Sequence, residues 1–89
     1  MLLALAPSPV TRLHRAIALR YRLGPRAAMM ELDALAGVLD RYHLYHATRA
    51  ELLHQLGHLD RARAADRLAL ELTANPAEQA VLQQRIAWT

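Results

Sequence analysis

Apolar positions along the chain recur at intervals of three and four residues, the period of helices that bury one face. Five such stretches are separated by Gly, Pro or Asn. The first follows Ser8-Pro9, where a capping serine and a proline at the first helical position start a helix. It runs to about Leu23, with Leu13, Ala16, Ile17, Arg20 and Tyr21 on one side and Thr11, Arg15 and Arg22 on the other. Gly24 ends it, because glycine takes the left-handed conformation of a C-terminal cap without a Cβ clash. Pro25 opens a second helix to about Ala36, with Ala28, Met29, Leu32, Leu35 and, if the helix persists that far, Leu39 inward. Glu31 and Asp33 face outward, and Gly37 stops or bends the chain.

The central stretch, from Tyr42 to Leu72, organises the rest. It predicts two amphipathic helices reversed at Gly57-His58-Leu59. The first starts near Asp40 and places Tyr42, Tyr45, His46, Arg49, Leu52, Leu53 and Leu56 on one face, with the small Ala47 and Ala50 behind. One large-residue face and one small-residue face predict a helix sandwiched between neighbours. The second, Asp60 to about Thr73, turns Ala62, Ala65, Leu68, Ala69 and Leu72 inward and Arg63, Arg67 and Glu71 outward. Asn75-Pro76-Ala77-Glu78 then reads as a capping box with proline at the first position. A fifth helix follows to about Trp88, with Val81, Leu82, Arg85, Ile86 and Trp88 as its contacts.

Composition narrows the class. The 89 residues are 54% hydrophobic but only 4% aromatic, without Phe. Ala and Leu dominate, and both favour closely packed helices over a β-sandwich. A chain of this length buries only about 60–65% of its unfolded surface, so the core is thin. The absence of Cys excludes disulfides and thiolate metal sites. The apolar N-terminal run, MLLALA, is too short for a secretory h-region or a membrane span and lacks a basic lead. A cytoplasmic protein without membrane contact is expected, and this stub reads as the end of a helix from a larger protein.

Leu23-Gly24 and Leu56-Gly57 lie roughly 33 residues apart, each followed by an Ala-rich amphipathic helix. Helix–turn–helix units with a period of about 34 residues are the signature of tetratricopeptide-type repeats. In the second unit Ala50, Leu53, Gly57, Leu59, Ala62 and Ala69 occupy the small, large and turn positions of that pattern. Asp66 stands where the pattern has an aromatic, and Pro76 closes the unit two residues late. The first unit is degenerate, with Met29 at a small-residue position. The predicted fold is all-α: a five-helix tetratricopeptide-like right-handed helical array, two helical hairpins plus a capping helix. It forms a single domain over 1–89, with the stub at 1–7, the degenerate first repeat at 8–36, the second repeat at 40–73 and the capping helix at 75–88.

The segments LLALAPSPVTRLHRAIAL, LGPRAAMMELDAL and LDRYHLYHATRAELLHQLGHLDRARAADRLALELTANPAEQAVLQQRIA resemble the C-terminal helical extension of one subgroup of extracytoplasmic-function RNA polymerase sigma factors. The likeness spans about Leu2–Ala87 and is densest in YHATRAELLHQLG and LTANPAE. These motifs are marks of fold and not of an active site. The resemblance implies a bacterial domain that modulates transcription initiation by protein contacts, with other sigma-factor regions, RNA polymerase or a regulator as partner. Nothing in the chain matches the promoter-binding regions of that family.

The residues themselves carry no catalytic signature: no nucleophile triad, phosphate loop or carboxylate pair. A non-catalytic module without cofactor is expected. His43 and His46, and His54 and His58, have the spacing of helical metal ligands, but Gly57 interrupts the second pair and no carboxylate completes either. His46 is expected in the core and the others in solvent, with no metal. Arg49 projects from the middle of an apolar face and needs a carboxylate partner, because an unpaired buried guanidinium is costly. Asp33, Asp66 and Glu71 are in reach by helix order, and a structural Arg49–Asp66 ion pair is expected. The net charge is +3, with 11 Arg, no Lys and 8 carboxylates. Arg12, Arg15, Arg22 and Arg26 crowd the first helix and turn, and are assigned as the partner-docking set. Direct DNA contact is not expected, since a nucleic-acid module gathers more of its cations on one face. The alternatives are a small nucleic-acid-binding helical protein using that Arg-rich helix, and a freestanding oligomeric adaptor joined through Leu2, Leu3 and Leu5.

Overall fold

The computed structural model of the chain describes residues 8–88. Five helices follow in order: α1 (Pro9–Leu23), α2 (Pro25–Asp33), α3 (His43–Gln55), α4 (Leu59–Leu72) and α5 (Pro76–Trp88). There is no strand among the described residues. The apolar stub, including Leu2, Leu3 and Leu5, lies outside them.

The boundaries follow from local chemistry. The Ser8 hydroxyl accepts a hydrogen bond from the Thr11 amide at 3.2 Å, and Pro9 follows it. Gly24, at φ 92°, closes α1 and leads directly into Pro25, so α1 and α2 fold back with a one-residue connection. The α3–α4 reversal is a Schellman motif. The His58 amide donates to the Leu53 carbonyl at 2.9 Å and the Gly57 amide to the His54 carbonyl at 3.1 Å, with Gly57 at φ 84°.

α4 starts one residue early, at Leu59, and two boundaries differ more widely from the sequence expectation. α2 stops at Asp33, not Ala36. Beyond it the chain tightens into turns, in which Leu35 donates to the Leu32 carbonyl and Ala36 to that of Asp33. The tightening lets Leu35 and Leu39 both stay buried on either side of Gly37. α3 starts at His43, not near Asp40, because the backbone is still extended at Tyr42, φ −100° and ψ 115°; the Asp40 carbonyl accepts at 2.7 Å from the ring Nε2–H of His46.

At α5 the Asn75 side chain caps the Ala77 and Glu78 amides at 2.9 and 3.3 Å. The returning arm of the expected capping box is replaced by a relay. The Asn75 amide donates to the Thr73 hydroxyl, which donates to Glu78. Glu78 also contacts the His43 ring at 2.6 Å, which fastens the start of α5 to the start of α3.

The core has two parts. Leu13 and Ala16 of α1, Ala28 and Leu32 of α2, Leu35, Leu39, and Tyr45 and Leu52 of α3 form the larger one. The Tyr45 hydroxyl donates to the Leu32 carbonyl at 3.3 Å within it. Ala50 and Leu53 of α3 with Ala62 and Ala65 of α4 form the smaller, and Met29 packs against both. α3 is thus sandwiched, and alanines on both sides of the α3–α4 contact let the two backbones approach closely. On α4 the expected inward Leu68 and Leu72 are 46% and 36% exposed, while Asp66 is 3% exposed. On α5 Leu82 is buried, but Val81 and Trp88 are exposed. Each helix packs chiefly on its neighbours in sequence. The result measures 48 × 29 × 20 Å, with a radius of gyration of 13.5 Å. A globule of this length has about 12 Å, so the stack is elongated.

Candidate interaction grooves

One groove, about 480 Å³, is walled chiefly by the odd-numbered helices. α1 supplies Arg20; α3 supplies Ala50, Glu51, His54 and Gln55; α5 supplies Val81, Gln84, Arg85 and Trp88; α4 reaches in only with Asp66. Its base is a chain of charges. The Arg20 Nη1 donates to Glu51 Oε2 at 2.7 Å. The Arg85 Nη1 lies 3.7 Å from Glu51 Oε1, and its Nη2 donates to Asp66 Oδ1 at 2.6 Å and to the Ala47 carbonyl at 3.0 Å. Four helices are therefore joined through two guanidinium and two carboxylate groups. Arg20 also stacks 4.5 Å over the Tyr21 ring and donates to its hydroxyl, while its Nε has no acceptor.

Burial pushes the Asp66 carboxyl above its ordinary value. Arg85 pulls it back through charge and hydrogen bond, and Glu51 adds to the rise. For Arg20 burial works against the charge, but Glu51 outweighs it and the pKa is raised. The rim of the groove is uncharged at Val81 and Trp88, the latter 83% exposed. Large exposed rings of this kind are costly to leave in water and are enriched where protein surfaces meet.

The sequence expectation for Asp66 is corrected here: its partner is Arg85, and no ion pair joins it to Arg49 among the described residues. Asp66 lies on the side of α4 toward α5. Arg49 lies one turn after Tyr45 on α3, half-buried, where its charge opposes the rise that burial gives the Tyr45 hydroxyl's pKa. The signal available was Asp66 itself: a carboxylate at an inward, aromatic position requires a cation, and α5 carries only Arg85.

A second groove, about 320 Å³, lies on the outer side of α1. Arg12, Arg15 and Arg22 line it with Ala18 and Leu19, and Glu31 of α2 stands opposite. Three of the four arginines assigned to docking thus meet at one surface. Arg26, at the start of α2, is exposed but does not line it.

No family model matches the chain, and no solved structure does. An uncharacterized protein of Rhizobium meliloti (strain 1021) is 40% identical over 82 residues. That alignment takes in 92% of this chain but 19% of the relative, so the chain spans about a fifth of the length of the protein it resembles.

Among the described residues no group of three or more His, Cys, Asp or Glu is placed to hold a metal ion. No described helix is long and apolar enough to cross a membrane. The first groove sets Val81 and Trp88 beside two guanidinium and two carboxylate groups, and the second sets three guanidinium groups beside Ala18, Leu19 and Glu31.

Proposed function

We propose that this chain is a non-catalytic protein-interaction module with a tetratricopeptide-like arrangement, similar to the C-terminal extension of an extracytoplasmic-function sigma factor. On this reading it modulates transcription initiation by protein contacts. The observation that carries it is the groove walled by α1, α3 and α5. In a right-handed array of helical hairpins, the first helix of each pair lines one concave side; on this reading α1, α3 and the closing α5, which supply most of the groove's lining, correspond to those first helices. Helix-lined grooves accept peptides or helices by apolar anchors within a charged frame. Val81 and Trp88 are the anchors and the Arg20–Glu51–Arg85–Asp66 chain is the frame. The match to one-fifth of a longer protein also fits a domain appended to others.

The test is binding of the purified chain to the promoter-binding regions of an extracytoplasmic-function sigma factor and to core RNA polymerase from the same bacterium, paired with transcription in vitro. Saturable binding that Trp88→Ala weakens, together with altered transcript yield, supports the proposal. Absence of binding to either protein with unchanged transcript yield rejects it.

A further inference from the structure

The arginines that line the two grooves are of two kinds. Arg20 and Arg85 are consumed by carboxylates inside the groove between helices. Arg12, Arg15 and Arg22 form no ion pair among the described residues, yet they line one groove on the opposite side of α1. Three guanidinium groups beside the single carboxylate of Glu31 leave this face net positive, and each guanidinium offers up to five donors in a planar fork suited to carboxylate. Ala18 and Leu19 line the groove with them, and Leu23, one turn beyond Leu19, is 68% exposed. Arg12 and Arg22 are separated by about 15 Å of helix rise, roughly three turns.

We propose that this face of α1 is a docking site for an acidic amphipathic helix of a protein partner. Its carboxylates pair with Arg12, Arg15 and Arg22, and its apolar side chain covers Ala18 and Leu19. The complementarity is specific to that occupant. A phosphodiester backbone would meet the cations but leave Ala18 and Leu19 uncovered, and Glu31 in the lining would oppose a continuous run of phosphates. One carboxylate among three guanidinium groups sets the register of an acidic helix instead, by excluding an acid from the position facing it. The site is separate from the groove bounded by Trp88 and does not depend on the sigma-factor reading.

Isothermal titration of the full chain with a synthetic amphipathic peptide of Glu and Leu, its Gln-for-Glu counterpart and a short DNA duplex tests this. The expected result is saturable binding of the Glu peptide that weakens with added salt. The triple variant R12E/R15E/R22E should weaken it by about tenfold or more, and Trp88→Ala should leave it unchanged. None of the three arginines is buried or paired, so the triple variant keeps the fold; its circular dichroism is the check. The single variant Arg15→Glu, with a smaller loss, serves if the triple variant unfolds. Equal affinity for the Gln peptide, an unaffected arginine variant, no binding of the Glu peptide, or tighter binding of the duplex than of the Glu peptide would each overturn the proposal.

Discussion

Asp66 shows how a single side chain ties stability to pH. Its carboxyl is buried, and burial raises its pKa in spite of Arg85. Below its ordinary value, near 3.8, folded and unfolded chains both carry the proton. As pH rises past that value the unfolded chain ionises first, so the stability lent by protonated Asp66 is full at low pH. It is lost as pH rises through the folded-state value. Asp66→Asn removes this titration. Urea unfolding from about pH 3 to pH 7 should therefore show the stability of the parent chain, relative to the Asn variant, falling as pH rises. Arg85→Met tests the pair from the other side. It leaves a buried carboxylate without its main cation and should cost about 2–3 kcal/mol at neutral pH, the lower end for buried pairs because Arg85 is partly exposed. Tyr45→Phe, which leaves the Leu32 carbonyl its helical environment but removes one donor, should cost about 1 kcal/mol.

The helix is the scale at which the sequence was most informative. The starts at Pro9 and Pro25 and the reversals at Gly24 and Gly57 were legible because each rests on one residue with one backbone requirement. The burial of Leu13, Ala16, Ala28, Leu32 and Leu53 followed from helical periodicity. The exposure of Leu68 and Leu72 did not, since periodicity locates an apolar face but not whether a neighbour covers it. Arg12, Arg15 and Arg22 were visible as one face because they share one helix. The Arg20–Glu51 and Arg85–Asp66 pairs were not, because their members lie 31 and 19 residues apart and meet only after packing. Two predictions belong here. Gly57→Ala meets no atom within 4 Å but must hold φ near 84°, so it should cost about 1–2 kcal/mol by backbone strain alone. Ala62→Leu, in the close α3–α4 contact, should cost about 1–3 kcal/mol by overpacking. Thermal unfolding followed by circular dichroism measures both.

At the scale of the whole molecule, the stack of sequential neighbours makes stability uneven along the chain. α3 contributes to both parts of the core, whereas α5 has Leu82 as its one buried side chain among the described residues. An element with few buried side chains opens at lower free energy than one packed on both sides. Native-state hydrogen exchange should therefore show α5 amides exchanging ahead of those of α3. Glu78→Gln, which weakens the contact with His43 and the acceptor for Thr73, should widen that gap without altering α1.

The exposed position of Trp88 also decides what light can report about this protein. It is the chain's single tryptophan, and the folded state already leaves it 83% open to water. Its emission in the native state should lie close to that of free indole and shift little when the chain is denatured. A partner settling over the rim formed with Val81 would remove that water and move the emission to shorter wavelength. The same indole that is nearly silent about folding is thus a built-in optical gauge of whether the groove is filled.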